Sequence, residues 1–448
     1  MRAVGIPLPL EGVRIIDLTG VWAGSFSTVI LADLGAEVLK AENQYVWQPL
    51  TRAGRARPSS EEAKSYIPSM SYPGDEPGDR PWNYCSLFVG MFRNKRSFTV
   101  DLRRPEGLDV LARIVSQCDA VIENSAVGTM EKLGISYQWL REQRDDIIFV
   151  RASGYGLTGE YSDARTLGAH LEAVMGHQVL RGYEGNEPST NSAIFSADYV
   201  SGTQIAFAVL LALWHRNNTG KGQFIELAQS ENAAGMFAQA YLDYALNGEV
   251  QEALGNRSIY AIDGVAPCGV YPCLPKGDTS EGGDRWIAIT VSNNEEWASL
   301  RAVIGDPEWA LDPILATAAG RAANQEILDA RLAEWTSQNE EEELFHKLQK
   351  SGIAAAPVLP SWRVPSNPHV QARGLYEICE LVDDVGEYSY PSPVYRLPAS
   401  DSSIRRPPVA FGQDNEYVYR ELLEISDEDY DRLVAEGHIA TEFDKSIP

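Results

Sequence analysis

Short runs of β-branched and apolar residues alternate with helix-like stretches along the first third of the chain. The strand-like runs are VRIIDLT, AEVLKAE, SFTVDL, AVIEN and IIFVRASG, and the helical ones include AGSFSTVILADLG, which Gly35 ends, and EGLDVLARIVSQC. Strands that alternate with helices indicate βαβ units, in which a parallel sheet carries helices on both faces. The pattern therefore predicts an α/β fold.

A second, smaller α/β unit is expected further along the chain. The helical pattern of GQFIELAQSENAAGMFAQAYLDYALNG gives way near Leu254 to Gly- and Pro-rich sequence, and then to RWIAITVS, NEEWASLRAVIG, ILDARLAEWT and GIAAAPVL. The tail returns to helical spacing, with Ser426 as a predicted N-cap. We expect four segments: 1–225 as the first part of a large domain, 226–255 as a helical linker, 256–360 as a small α/β domain, and 361–448 as a return linker with C-terminal helices that complete the large domain.

The charge balance restricts the partners. The chain has 448 residues, 44% of them hydrophobic, and a formal net charge of −25, so we expect neither nucleic acid nor an anionic membrane as a partner. An anionic ligand would need a local basic pocket. The basic candidates are RNKRS, from Arg93 to Ser97, and the pair Arg103 and Arg104, with ion pairing on a solvated face as the alternative.

The loop-like segment from Gln44 to Trp82 is expected near the mouth of the first βαβ unit.

Cysteine usage and hydropathy predict a cytoplasmic protein. Five widely spread cysteines form no CxxC pair, which indicates neither a disulfide framework nor a zinc site. The N-terminus lacks the pattern of a signal peptide, and the longest apolar run, from Ile205 to Trp214, is about half a membrane span. We therefore expect the chain to be neither secreted nor inserted in a membrane.

Familiar catalytic motifs are weak or missing. Gly154, Gly156 and Gly159 match the dinucleotide pattern GxGxxG, but they come late in the domain and precede a polar turn where a helix should begin. No GxSxG motif occurs, and no pair of the six histidines has metal-ligand spacing. Dinucleotide binding is kept only as an alternative, and no metal site is predicted.

One acid stands directly before the longest apolar stretch of the chain. Asp198, in FSADYVSG, has the position of a helix N-cap. The residue three positions later, Ser201, does not complete a capping box, and Gly202 is a poor residue for a first helical turn. The local pattern leaves a structural cap and a chemical role both open.

Several segments, taken in order, resemble the class III CoA-transferase family. They are LEGVRIIDLTGVWAGSFSTVILADLGAEVLKAE, NKRSFTVDLRRPEG, DAVIENSAVGTMEKLGI, RASGYGLTGEY, SADYVSGTQIAFAVLLALWHRNNTGKGQFIELAQSE and the tail GQDNEYVYRELLEISDEDYDRLVAEGHI. The resemblance spans nearly the whole chain. It implies a large Rossmann-like domain joined by two linkers to a small domain, in an interlocked-ring dimer. A homodimer is expected, with a heteromer that includes a related subunit as the alternative.

The resemblance assigns chemistry to Asp198, which matches the family's nucleophile. It implies a ping-pong transfer of CoA through mixed anhydrides and an aspartyl-CoA thioester, with CoA and acyl-CoA as substrates and no tightly bound cofactor. The family's racemase branch uses a His-Asp pair where this chain has Leu167 and Gly168, and His170 lies three residues further on. A racemase and a non-catalytic CoA-binding subunit remain as alternatives.

The resemblance also implies a set of ligand contacts. Those for CoA are Val21, Ala23, Val100, Arg103, Asn124, Lys132, Leu133 and Arg165. Asn43 stands where the family often has Arg, so we expect that one adenine or phosphate contact is either lost or supplied by a neighbour such as Arg96. Trp22 matches a position where oxalate-using relatives have a Gln amide, and the linker GNRSIYAIDGVAPCG lacks their glycine run. We therefore expect an acid larger and more apolar than formate or oxalate, such as a branched, dicarboxylic or aryl-substituted one.

Overall fold

The computed structural model describes residues 6–64, 70–183, 185, 187, 195–257, 265–277, 283–381 and 386–448. These residues form two compact units. The first unit comprises the described residues within Met1–His177, Ala193–Ala245 and Gly374–Pro448, and the second those within Gln178–Ser192 and Leu246–Arg373. In this division the predicted linker 226–255 is shared between the two units, and the second unit extends beyond the predicted small domain 256–360.

A six-stranded parallel sheet organises the first unit. Its strands are β1 (Arg14–Asp17), β2 (Glu37–Glu42), β3 (Arg96–Thr99), β4 (Ala120–Glu123), β5 (Ile148–Arg151) and β6 (Phe224–Glu226). They lie in the order β3-β2-β1-β4-β5-β6, with Ile16 beside Leu39 on one side and Val121 on the other. This is the strand order of a Rossmann-like fold. The predicted α/β class is confirmed.

The helices are, in chain order, α1 (Ala23–Asp33), α2 (Ser60–Lys64), α3 (Ser86–Met91), α4 (Pro105–Val115), α5 (Thr129–Lys132), α6 (Tyr137–Gln143), α7 (Gly168–Val174), α8 (His177–Leu180), α9 (Ser196–Thr219), α10 (Gln229–Ala234), α11 (Ala238–Asn247), α12 (Asn294–Ile304), α13 (Ala318–Ala323), α14 (Gln325–Thr336), α15 (Glu341–Lys350), α16 (Pro368–Arg373) and α17 (Asp427–Ala435). A π-helical segment, Tyr417–Leu422, precedes α17. Residues 376–381 (β10) and 386–391 (β11) form an antiparallel pair.

Both faces of the parallel sheet are buried, as its continuous apolar strands require. Neighbouring residues along one strand point to opposite faces, so Ile15 packs with α1 and α9 while Ile16 packs with α4 and the C-terminal helices. Helix α9 is long and apolar enough to cross a membrane by length and composition. Half of its apolar stretch is buried inside the first unit, as is typical of a core helix.

The second unit has its own small core. Its strands β7 (Cys268–Pro272), β8 (Trp286–Thr290) and β9 (Ala354–Pro357) form an antiparallel sheet in sequential order. Apolar residues of β8, including Ile287 and Ile289, pack against Trp297 of α12, Leu332 of α14 and Leu348 of α15. Helices and strands are thus mixed in this unit, but its sheet is antiparallel.

Candidate functional site

The site lies where the strand order reverses between β1 and β4. In open α/β sheets the loops that follow such neighbouring strands diverge and leave a crevice for a ligand at their carboxyl ends. Here Asn124, directly after β4, joins the two loops. Its Oδ1 accepts a hydrogen bond from Gly20 N at 2.7 Å, and its Nδ2 donates one to Gly20 O at 2.9 Å.

A first cavity of about 290 Å³ opens on one side of this crevice. It is lined by Leu18, Thr19, Lys40, Ala41, Glu42, Asn43, Val46, Trp47, Gln48, Thr51, Arg52, Val100, Leu102, Arg103, Thr129, Leu133 and Phe443. The structure therefore brings together three of the predicted CoA contacts, Val100, Arg103 and Leu133. Part of the segment from Gln44 to Trp82 also borders this cavity, as the sequence predicts.

A second cavity of about 220 Å³ contains the predicted nucleophile. It is lined by Val21, Asn124, Ser125, Ala126, Val127, Ser153, Gly154, Ser162, Ala164, Arg165, Thr166, Leu167, Gly168, Leu171, Asp198 and Gln229. Val21, Asn124 and Arg165, three further predicted contacts, thus share one cavity with Asp198. Ala23, Lys132 and Trp22 lie outside the described linings of both cavities.

The turn at Gly20 and Val21 connects the two cavities. Val21 lines the second cavity, and its N–H donates to Oγ1 of Thr51, which lines the first, at 2.9 Å. Gly20 packs so closely on Gln48 that a Cβ there would lie 2.1 Å from its Nε2. The absence of a side chain at Gly20 is therefore what allows the Gln48 side chain to lie against the turn.

Asp198 is not the N-cap of its helix, so that interpretation of the sequence is wrong. Helix α9 begins at Ser196, its N-cap is Phe195, and Asp198 is the third helical residue. The N-terminal groups are bound instead by Glu172 of α7, whose Oε1 accepts from Ser196 Oγ at 2.9 Å and from Ala197 N at 3.4 Å. The Asp198 carboxylate is therefore free of a capping role.

Two glycines make room for the Asp198 side chain. A Cβ on Gly168 would lie 1.9 Å from Asp198 Oδ2. Gly202, one turn after Asp198, lies against α1, where a Cβ would come 2.7 Å from Ala23 O. This close approach of the two helices accompanies a hydrogen bond from the Ala23 backbone N–H to the Asp198 carboxylate. Gly202 is unfavourable for helix formation but is required by the packing.

Burial, and to a lesser extent the negative charge of Glu172, raise the pKa of the Asp198 carboxyl to about 7, although the hydrogen bond from Ala23 acts in the opposite direction. Asp198 is 7% exposed and Glu172 is fully buried. A carboxyl group in a low-dielectric site next to another carboxylate is harder to ionise. Asp198 is therefore a carboxylate whose charge changes near neutral pH.

Two residues beside Asp198 have strained backbones. Val21 has a φ of +58° and Phe195 a φ of +55°. A β-branched residue in the left-handed region is a true outlier, and such strain clusters at functional sites. Both residues are at the start of a helix, Val21 just before α1 and Phe195 just before α9. The strain therefore marks the junction of these two helices as a candidate site.

The cations around the first cavity are paired with carboxylates. Arg103 donates to both oxygens of Asp101 at 2.8 Å, and Arg52 donates to both oxygens of Glu42 at 2.6 Å. Lys40 contacts Asp17 at 3.2 Å. A phosphate bound in this cavity would share its cations with protein carboxylates.

The RNKRS segment forms ion pairs, as its alternative interpretation held, but Arg93 and Lys95 are buried, so the expected solvated face is wrong. Arg93 pairs with Asp33 at 2.6 Å and Lys95 with Asp17 at 3.3 Å. Arg96 pairs with Asp414 at 2.8 Å and Glu37 at 3.1 Å, and its guanidinium stacks on Tyr417. The structure therefore places Arg96 outside both described cavity linings. Asn43, which it was expected to replace, donates to Asp101 Oδ1 at 2.9 Å.

The minor motifs have structural explanations. No helix begins directly after Gly154, because the next one starts at Gly168, so the glycines do not form a dinucleotide turn. His170 Nδ1 accepts from Leu167 N at 3.0 Å, at the start of α7. Within the described residues no group of His, Cys, Asp and Glu could hold a metal ion, and all cysteines there are free and buried.

Trp22 packs against the start of helix α9, which carries Asp198. Its ring meets Phe195 edge-on at 4.8 Å between centroids and lies 6.0 Å from Tyr199, the neighbour of Asp198. Its buried Nε1 has no hydrogen-bond partner among the described residues. The expectation of a larger acid also rested on the linker GNRSIYAIDGVAPCG. Residues 258–264 of this linker lie outside the described part of the chain.

Sequence reasoning missed Gly168, Gly202 and Glu172. Gly202 had a usable signal, since a glycine four residues after an acid on an apolar helix indicates a close approach on the face that carries the acid. Gly168 and Glu172 contact α9 only through the tertiary fold. No local pattern could have identified them.

The family model and two curated relatives that match this chain are all CoA-transferases, and each match covers most of the chain. The family model described as CoA-transferase family III matches residues 10–415. The chain is 30% identical over 430 residues to a succinyl-CoA–D-citramalate CoA-transferase of Chloroflexus aurantiacus, covering 96% of this chain and 98% of the relative. It is 28% identical over 427 residues to the alpha subunit of a succinyl-CoA–L-malate CoA-transferase of Chloroflexus aurantiacus, covering 95% and 91%. A crystal structure of a CaiB/BaiF family protein from Brucella suis matches with a TM-score of 0.76 and 26% identity, covering 93% of this chain and 100% of that one.

Proposed function

Because the chain belongs to CoA-transferase family III, we propose that it moves CoA from a dicarboxylic acyl-CoA, such as succinyl-CoA, to a second dicarboxylic acid, with Asp198 as the nucleophile. One observation carries the proposal. The Asp198 carboxylate is buried at the strand-order reversal, with a pKa near neutrality, and it lines a cavity rather than capping its helix. A buried carboxylate that lines a cavity and has no side-chain ion pair is suited to covalent catalysis.

The reaction proceeds in two half-reactions. The Asp198 carboxylate attacks the thioester carbonyl of the donor and releases CoA thiolate, which leaves a mixed anhydride. The thiolate then attacks the aspartyl carbonyl and displaces the donor acid, so that Asp198 carries CoA as a thioester. The acceptor carboxylate attacks this thioester to form a second anhydride, and the released thiolate attacks its acyl carbonyl, which restores Asp198 and yields the new acyl-CoA.

The Ala23 N–H supports these steps. It donates to the Asp198 carboxylate at the first residue of α1. Each attack on the aspartyl carbonyl places negative charge on its oxygen, and a fixed backbone donor at a helix N-terminus stabilises such charge. The burial of Asp198 also limits the access of water to the anhydrides.

CoA would extend from the second cavity into the first. The thioester must meet Asp198 in the second cavity, whereas Val100, Arg103 and Leu133 border the first. Val21 and Asn124 lie at the connecting turn. Ala23 contributes through its backbone, and Lys132, an exposed residue next to Leu133, would meet CoA from outside the cavity. CoA acts here as a substrate, and no resident cofactor is proposed.

The dicarboxylic substrates follow from the relatives. Those reported above act on succinyl-CoA with D-citramalate or L-malate, and each of these acids carries two carboxylates. This choice falls within the larger acids expected from Trp22. Trp22 would act on the acid indirectly, through Phe195 and the backbone next to Asp198.

We propose the assembly to be the interlocked homodimer implied by the resemblance. Helix α9 supports an association between copies, because Phe207, Leu211 and Trp214 on one of its faces are more than half exposed within this chain. A heteromer is the alternative, since one relative is an alpha subunit.

A cytoplasmic location is proposed from the free cysteines and the acidic surface, without nucleic-acid or membrane partners.

The two alternative functions fit the site less well. A racemase needs a second acid-base group within reach of the substrate, yet Gly168 has no side chain and His170 hydrogen-bonds the backbone of Leu167. A non-catalytic subunit would not need a carboxylate that two glycines and a backbone N–H position in a cavity.

The test is an assay of the purified chain alone. It would be incubated with succinyl-CoA and, in turn, citramalate, malate and a monocarboxylic acid, and the CoA esters would be separated by chromatography. We expect new thioesters of the dicarboxylic acids, and none with Asp198→Asn. Racemisation of a 2-methylacyl-CoA without exchange, or no activity until a related subunit is added, would contradict the proposal.

A further inference from the structure

Arg165 is an unpaired cation next to the nucleophile. Among the described residues that line the second cavity, Arg165 is the one cation and Asp198 the one anion. Arg165 is exposed, and its guanidinium has no hydrogen bond or ion pair to any residue in the described part of the chain. The cations of the first cavity, Lys40, Arg52 and Arg103, each have a carboxylate partner.

Arg165 is unpaired although the protein is rich in carboxylates. The net charge is −25, so carboxylates are abundant on the surface, and Asp163 lies only two residues away. A planar guanidinium is suited to bind a carboxylate or a phosphate through two parallel hydrogen bonds. The position of Arg165 thus provides an anion-binding group within the cavity where the acyl group must react.

A second donor lines the same cavity. Ser153 is 3% exposed, and its buried Oγ has no hydrogen-bond partner in the described part of the chain. A buried hydroxyl without a partner costs free energy unless a ligand binds it. Ser153 lies two residues after the end of β5, and its backbone carbonyl accepts a hydrogen bond from Gln229 N at 3.0 Å, which holds it at this edge of the sheet.

We propose that Arg165, together with Ser153, binds the free carboxylate of a dicarboxylic substrate and so selects dicarboxylic over monocarboxylic acids. The inference rests on the proposed function. It differs from the role that the family resemblance implies for Arg165, which is contact with CoA. Arg165 shares the cavity of Asp198, where the acyl group reacts, whereas Arg103 borders the first cavity. The acyl chain and the long pantetheine arm leave the thioester in opposite directions, which places a distal carboxylate away from the phosphates.

The experiment compares two donors that differ only in the distal group. Succinyl-CoA has a distal carboxylate, and butyryl-CoA has a methyl group in its place. The readout is the ratio of kcat/KM for succinyl-CoA to that for butyryl-CoA. We expect Arg165→Gln to lower this ratio about 10- to 100-fold, as for a lost charged hydrogen bond. Arg165→Lys should restore part of it, and Ser153→Ala should lower it by a smaller factor.

Arg103→Gln is the matched control, because it removes a cation of the first cavity. It should weaken the use of both donors equally and leave the ratio unchanged. If Arg165→Gln also affects both donors equally, Arg165 contacts CoA and the inference is wrong; an unchanged ratio with unchanged rates overturns it as well. If butyryl-CoA is not turned over, dissociation constants of the two thioesters in an Asp198→Asn background give the ratio. A wild-type chain that exchanges no CoA at all would overturn the proposed function itself.

Discussion

Gly168 leaves the space that the Asp198 carboxylate occupies: a Cβ at position 168 would lie 1.9 Å from Oδ2, closer than any two such atoms can approach. A side chain there would therefore move Asp198 out of its present position. The chemistry of this site depends on a residue that makes no polar contact with the carboxylate.

Gly168→Ala should abolish most of the activity. The new methyl group must displace the Asp198 side chain, and a misplacement of about 1 Å costs roughly a hundredfold in rate. The measurement is kcat for CoA transfer, together with a melting curve to confirm folding. Gly235→Ala is the matched control, because no atom lies within 4 Å of its Cβ position. Normal turnover by folded Gly168→Ala would contradict the described position of Asp198.

The pH profile should report the ionisation of Asp198. Its folded pKa is raised to about 7, and only the ionised form is a nucleophile, so the rate should rise as the pH increases through about 7 and fall below it. Glu172→Gln removes a neighbouring negative charge, which should ease ionisation and move the midpoint to lower pH. The checks are pH profiles of kcat/KM for both enzymes. A midpoint that stays in place or rises in Glu172→Gln would show that Glu172 does not act on Asp198.

Arg103→Gln should weaken the binding of acyl-CoA more than it slows the chemical step. Arg103 borders the first cavity and not the cavity of Asp198. A lost charged hydrogen bond corresponds to about a 10- to 100-fold increase in KM. Its bond to Asp101 will reduce this effect, because the phosphate shares the guanidinium with that carboxylate. Steady-state kinetics would refute the role of Arg103 by showing an unchanged KM and a lower kcat.

Trp22 should make oxalate a poor acceptor. An indole ring provides apolar surface and no acceptor group, so a small diacid would bury an unpaired carboxylate at a cost of several kcal/mol. We expect the wild type to use malate or citramalate with a far higher kcat/KM than oxalate, and Trp22→Gln to narrow the difference. Trp22→Phe is the control that keeps the packing on Phe195. Efficient use of oxalate by the wild type would refute the expectation.

The fold could largely be predicted from the sequence, because β1, β4 and β5 contain the short apolar runs that a parallel sheet buried on both faces requires. β2 departs from this pattern at Lys40, which pairs with Asp17 in the interior. The antiparallel sheet of the second unit was not, since periodicity does not reveal strand direction. The proposed role of Asp198 as nucleophile came only from family resemblance, because a cap and a nucleophile have the same local pattern. Helix α9 starts three residues earlier than that pattern suggests, with Phe195 as its N-cap in place of Asp198, because Glu172, distant in sequence, binds its first turn.

Charge clusters gave the least reliable guide to the site. RNKRS could be interpreted as an anion pocket, but the partners of Arg93 and Lys95 are buried acids of the first βαβ unit. Arg165 lies in an unremarkable polar turn, yet the fold places it in the cavity of Asp198. Whether a cation is paired depends on tertiary contacts, so composition alone could not separate the two cases.

Trapping the covalent intermediate tests the central claim most directly. The chain would be incubated with succinyl-CoA, treated with hydroxylamine or borohydride, digested, and analysed by peptide mass spectrometry, with Asp198→Asn in parallel. We predict that the mass of the peptide that contains Asp198 changes by the amount expected when hydroxylamine or borohydride cleaves an aspartyl thioester. The Asp198→Asn variant should show neither this mass change nor turnover. Full turnover by a folded Asp198→Asn variant, or a covalent adduct at another residue during turnover, would contradict the assignment of Asp198 as the nucleophile.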